Sequence, residues 1–181
     1  MNKKILSLLV SGSLIAAVSA NVFAADTGVV NFNGKIVADT CEINVNESNS
    51  TTGTVTFADT YPADYSGDGD VGTSKDFKIE LIKCDPLVTK LNLTFSGATT
   101  DTGFLRLKNS ETGAGSATNV GITVKNNNGG SSDVKFDGSV PDLSTDVDNA
   151  GDSTPTIFNY TAEVIQVGND APTAGRYAAS A

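Results

Sequence analysis

Asp64, Asp68 and Asp70 lie close together, and clustered carboxylates can act as acids, bases or metal ligands. They are the first residues to weigh, because the 181-residue chain contains no His. That absence removes every imidazole-based triad and the usual proton shuttle. Asp68-Gly69-Asp70 could open a calcium loop, but Gly72 stands where the next oxygen ligand is needed, so a solvated loop is expected. Gly113-Ala114-Gly115-Ser116 has glycines but lacks the Lys, the spacing and the following helix of a phosphate loop. It reads as a turn. Asn-x-Ser/Thr triplets begin at Asn46, Asn49, Asn92 and Asn159. They are glycan acceptors only on a eukaryotic secretory route, and a chain rich in Asn, Ser and Thr produces them by chance. No catalytic, cofactor-binding or metal-ligating set emerges. The chain is expected not to be an enzyme.

The first residues read as an address. Lys3 and Lys4 precede an apolar or small run from Ile5 to Val18, and Val22-Phe23-Ala24 supplies small residues where a signal peptidase reads. Cleavage before Ala25 is expected. The apolar run is too short, and too interrupted by Gly and Ser, for a membrane span. Removing residues 1–24 from 181 leaves 157, enough for one domain. Ten basic residues then face 21 acidic ones, a net charge of −11. Such a balance disfavours nucleic acid and anionic membrane surfaces. The two cysteines, Cys41 and Cys84, both lie in the exported part. An even count in an oxidising compartment reads as a disulfide. A metal pair or redox pair is the alternative, weakened by the missing His and the missing C-x-x-C spacing.

Short alternating runs dominate the rest. They are 30–36, 54–57, 77–81, 91–95, 104–107, 120–124, 134–136 and 157–165, separated by clusters of Gly, Asn, Asp and Ser. Alternation is what an antiparallel strand with one wet face produces, since successive side chains point to opposite sides. Seven or more such strands in one domain predict two sheets around a single core. Asn126-Asn127-Asn128-Gly129-Gly130 signals a tight turn, and the acidic stretch 142–152 reads as a solvated loop. The run starting at Gly28 follows the cleavage site almost at once. It is either an ordinary first strand or an arm that pairs with another molecule, with backbone hydrogen bonds giving affinity and alternate side chains choosing pockets.

Several stretches together resemble the type 1-like fimbrial major pilins of the chaperone–usher pathway. They are Gly28-Val29-Val30-Asn31-Phe32-Asn33-Gly34-Lys35-Ile36 leading to Cys41, Phe77 to Asp85 around Cys84, Gly115-Ser116-Ala117-Thr118-Asn119-Val120-Gly121-Ile122, Phe158 to Ala162, and Pro172-Thr173-Ala174-Gly175. The resemblance implies an all-β, incomplete immunoglobulin-like sandwich with an open apolar groove. It implies a polymerising structural subunit that supports bacterial adhesion, carried by a periplasmic chaperone, assembled at an outer-membrane usher and displayed on the cell surface. By position, Val30, Phe32 and Ile36 become groove-filling donor residues and Gly34 the small donor residue. Residues 25–33 become the donor arm and 34–181 the pilin domain. Cys41 and Cys84 become the family disulfide. Gly175 lies six residues from Ala181, closer to the end than the family pattern has it. The C-terminal strand is therefore expected to be missing, and a stable chaperone complex of residues 25–181 is not expected. The alternatives are a minor or adapter pilin, or a secreted β-sandwich that binds carbohydrate through surface aromatics. The second is thinly supported by four Tyr and no Trp. Cofactors are expected to be none.

Overall fold

The computed structural model describes residues 41–141, 145–147 and 154–181. The chain divides into two compact units, Met1–Ile36 and Val37–Ala181, and every described residue belongs to the second. Its described residues contain eight strands: β1 (Glu42–Val45), β2 (Val71–Ile82), β3 (Lys90–Leu91), β4 (Leu107–Lys108), β5 (Val120–Asn126), β6 (Ser132–Asp133), β7 (Thr145–Asp146) and β8 (Thr156–Gln166). A single turn of 3₁₀ helix, Pro62–Asp64, is the only helical element among the described residues. It starts at Pro62, whose fixed φ suits a first helical position, and the Asp64 carboxylate accepts the Tyr61 N–H at 2.7 Å.

Strands β1-β2-β8-β5-β4 run side by side in that order, with β6 added to β5, and β3 pairs with β7 in a separate ribbon. Every pairing of these strands is antiparallel. The centre is the long β2–β8 ladder, where Phe77 faces Tyr160, Ile79 faces Phe158 and Leu81 faces Thr156. On the far side of β8, Ile122 faces Val164 and Val124 faces Ala162. Directly opposed residues share a face, so this register gathers the apolar half of each alternating run on one side. Along β8 the inner series Thr156, Phe158, Tyr160, Ala162 and Val164 is buried throughout.

Much of what covers that face is irregular chain. Phe95 meets Tyr160 edge-on at 5.3 Å between centroids and lies 6.4 Å from Phe136, while Phe77 stacks on Tyr160 at 5.3 Å. Val55, Phe57, Leu91, Leu93 and Val134 pack on the same cluster. The run 54–57 thus reaches the core as predicted, but it forms no ladder. Likewise 91–95 is strand only at Leu91, 104–107 only at Leu107, and the hairpin partner of β5 is Ser132–Asp133 in place of 134–136. At Phe104 the backbone enters the left-handed region (φ 59°), which breaks an extended run. The acidic stretch read as a loop contributes β7, while 142–144 and 148–152 fall outside the described residues.

A disulfide joins Cys41, just before β1, to Cys84, just after β2. It pins the edge strand to the central ladder. Beyond Gln166, residues 167–181 form no further strand. Instead, the Ala117 and Ser110 N–H groups donate to the Arg176 and Ala178 carbonyls, at 2.8 Å each. Gly175 fits there because a Cβ would lie 2.5 Å from the Ala117 nitrogen and 2.8 Å from the Gly115 carbonyl oxygen. Only a residue without a side chain permits that approach.

Candidate assembly interface

The inner face is unevenly covered. Ile43 and Val45 of β1 lie opposite Leu81 and Ile79, which puts them on the same side as the buried core. Yet Ile43 is 42% exposed, whereas Leu81 beside it is buried. Among the described residues no strand pairs with the other edge of β1. The outer backbone groups of Val45 are already used, its N–H donating to the Ser50 carbonyl at 2.9 Å and its carbonyl accepting from the Ser48 N–H at 3.1 Å, so what this edge offers an incoming extended segment is the apolar seat at Ile43. A second opening lies elsewhere on the surface. Tyr61, Tyr65 and Tyr177, with Pro62, Pro172 and Val120, line an open cleft. The Tyr65 ring reaches this position because Gly72, at an irregularity in the β2 register, leaves room for its hydroxyl end.

Several charged side chains away from this face are paired. Lys78 contacts Glu80 at 2.9 Å and Glu47 at 3.0 Å, and these hydrogen bonds, Glu80's first, raise its pKa. Lys83 meets Glu42 at 2.9 Å beside the disulfide. Arg106 holds Asp68 with two hydrogen bonds, 2.6 and 3.1 Å, and the Gly168 N–H donates to the same carboxylate at 2.7 Å. Those contacts, the Arg106 hydrogen bond foremost, hold the Asp68 carboxyl below its ordinary range. Burial pushes the Tyr160 phenol up to about 12. A phenol so displaced stays protonated and forms part of the core.

The three loop aspartates do not converge. Asp68 is taken by Arg106, Asp70 accepts from the N–H and hydroxyl of Ser66, and Asp64 accepts from Thr60 and Tyr61. Among the described residues no three His, Cys, Asp or Glu side chains are grouped to hold a metal ion. Gly113 and Gly115 have φ of 87° and 85°, and the Ser116 hydroxyl donates to the Gly113 carbonyl at 2.8 Å, which closes the expected turn. Cys41 and Cys84 are joined to each other. Val30, Phe32, Gly34 and Ile36 lie outside the described residues, as does the whole of 1–33. Sequence reasoning missed the tyrosine cleft. Its walls come from residues around 60, 118 and 175, and no local spacing announces such a meeting.

Among the described residues the domain is all-β, with an apolar side chain, Ile43, exposed on the edge strand β1. Residues 30–181 match the family described as Fimbrial protein, and the chain belongs to that family. The S-fimbrial protein subunit SfaA of Escherichia coli is 34% identical over 76% of this chain and 76% of its own length. The minor fimbrial subunit HifD of Haemophilus influenzae is 35% identical over 93% of this chain and 78% of its own. The type-1 fimbrial protein A chain of Escherichia coli K12 is 29% identical over 90% and 89%. Among solved structures, the P pilus rod subunit PapA superposes with a TM-score of 0.56 at 25% identity, covering 84% of this chain and 95% of that one. The fold is thus the immunoglobulin-like sandwich of pilin subunits. The protein is a structural fimbrial subunit, exported to the cell surface, that assembles with other pilin subunits.

Proposed function

We propose that this subunit polymerises by donor-strand exchange, with residues 25–33 as the free arm and the donor strand continuing through Gly34 and Ile36 at the start of the domain, 34–181. Val30, Phe32 and Ile36 supply the apolar side chains that enter a neighbouring subunit, and Gly34 supplies the position without one. The strand-addition mode is a recognised way for pilins to associate. Residues 1–24 act as the export signal. A periplasmic chaperone covers the open edge before assembly without forming a long-lived complex with residues 25–181, an outer-membrane usher hosts the exchange, and the resulting fibre supports adhesion. The domain performs no catalysis of its own. The observation that carries this reading is Ile43, 42% exposed although it stands on the core side of an edge strand.

The test separates donation from acceptance. A tagged chain is co-produced with a second pilin subunit and recovered from the periplasm. Deleting Ala25 to Asn33 is expected to abolish capture of a subunit that needs a donor, while leaving the urea midpoint of the domain unchanged. Ile43→Asp is expected to abolish acceptance of a strand and to leave donation intact. Undiminished capture by the deletion variant overturns the proposal.

A further inference from the structure

The hairpin between β5 and β6 carries Asn128-Gly129, one of two Asn-Gly pairs in the chain; the other is Asn33-Gly34. An Asn before Gly is the arrangement most open to loss of its side-chain amide, because glycine leaves the next backbone nitrogen unshielded. In that reaction the Gly129 nitrogen attacks Cγ of Asn128. A C–N bond closes a five-membered succinimide, the Cγ–Nδ2 bond breaks, and the side-chain nitrogen leaves as ammonia, carrying the proton from the Gly129 amide. Water then opens the ring at either carbonyl to give aspartate or isoaspartate. No oxidant, reductant or enzyme is required. Gly129 is exposed, with φ of 80° and nothing within 4 Å of where a Cβ would stand.

The carboxamide of Asn128, in contrast, is fully engaged. Its Nδ2 donates to Asn126 Oδ1 at 2.7 Å and to the Asn159 carbonyl at 3.2 Å, and its Oδ1 accepts the Asn159 N–H at 2.9 Å. The Asn128 N–H also donates to Asn126 Oδ1, at 2.9 Å. The last registered pair of the β5–β8 ladder is Asn126 with Tyr160. One residue further along β8, the Asn128 side chain bonds both backbone groups of Asn159, as a neighbouring strand's peptides would. For Cγ to turn toward the Gly129 nitrogen, these bonds must break.

We infer that Asn128 is a latent modification site, held as an amide by its contacts with Asn126 and Asn159 and released to deamidate when the β5–β6 hairpin opens. The change is self-reinforcing. An aspartate at 128 has no Nδ2 donor, and its carboxylate faces two acceptors, Asn126 Oδ1 and the Asn159 carbonyl oxygen. Like partners repel, so a hairpin that has opened and reacted does not close again in the same way.

The full chain is incubated at one mildly alkaline pH, folded in buffer and unfolded in urea, then digested and analysed by mass spectrometry for conversion at Asn128. In urea, Asn33-Gly34 provides a reference for the unhindered reaction in the same digest. Conversion at Asn128 is expected to be roughly tenfold or more slower in the folded protein, since two or three ordinary hydrogen bonds must open first. Asn126→Ala removes the shared acceptor and is expected to raise the folded-state rate several-fold, once circular dichroism shows that the variant is folded. Equal rates in buffer and in urea overturn the inference, and that comparison needs no variant. A folded Asn126→Ala protein that converts no faster than the parent also counts against it.

Discussion

Reduction of the Cys41–Cys84 disulfide tests how much of this fold rests on one covalent link. The bonded residues are 43 positions apart. In the chain-entropy account, closing a loop of that length removes roughly 4 kcal/mol of disorder from the unfolded ensemble. Against a total stability of about 5–15 kcal/mol, that is a large share. With a urea slope of about 2 kcal/mol per molar, the midpoint should fall by about 2 M when the folded protein is compared with and without reductant. The slope itself should rise, because an unlinked unfolded chain exposes more surface. Cys84 is 3% exposed and belongs to the main core cluster, so its sulfur also packs. The double variant Cys41→Ala/Cys84→Ala should therefore be less stable than the reduced protein by a further increment of about 1 kcal/mol. A midpoint that moves by less than about 0.5 M would refute the loop-entropy argument. A large shift with an unchanged slope would place the effect in native packing.

Two further outcomes follow from positions described above. Gly175→Ala should destabilise the domain by about 1–3 kcal/mol, because the added Cβ meets backbone atoms that cannot rotate away. Gly67→Ala, where nothing lies within 4 Å, should be near neutral, and urea midpoints of the two variants check the contrast. Asp68, Asp70 and Asp137 all have carboxyl pKa values held below the ordinary one. A depressed folded value means that their stabilisation is fully present above the ordinary carboxylate pKa and is lost as pH falls through the lower folded value. From these three groups, urea midpoints should thus decline on the acid side. Arg106→Ala, which removes the first cause of the Asp68 shift, should flatten part of that decline.

Long alternation was the most legible signal. Phe77-Lys78-Ile79-Glu80-Leu81 and 157–165 read as strands because a two-residue period has only one way to bury its apolar half, and they form the central ladder. The turn at Asn128-Gly129-Gly130 was equally plain, since glycine supplies the positive φ that the hairpin uses. Shorter runs misled for a physical reason. Val55 and Phe57 need burial, and they obtain it by packing on the core without any ladder hydrogen bonds. Thr145–Asp146 pairs with Lys90–Leu91 although its composition says loop, because pairing there is decided by the neighbour and not by propensity. The disulfide was readable from cysteine number and compartment. The exposure of Ile43 was not, because it depends on what lies across from β1, and a strand's own residues do not encode their neighbour.

The position of the disulfide also decides how the domain carries load. A pull that enters from residues before Cys41 and leaves through residues after Cys84 travels across the sulfur–sulfur bond and bypasses the intervening loop. A stretch of that length could otherwise pay out roughly 150 Å of slack when drawn straight. While the bond is intact that slack stays locked, so a fibre of such subunits would lengthen less under tension than one whose cysteines had been reduced.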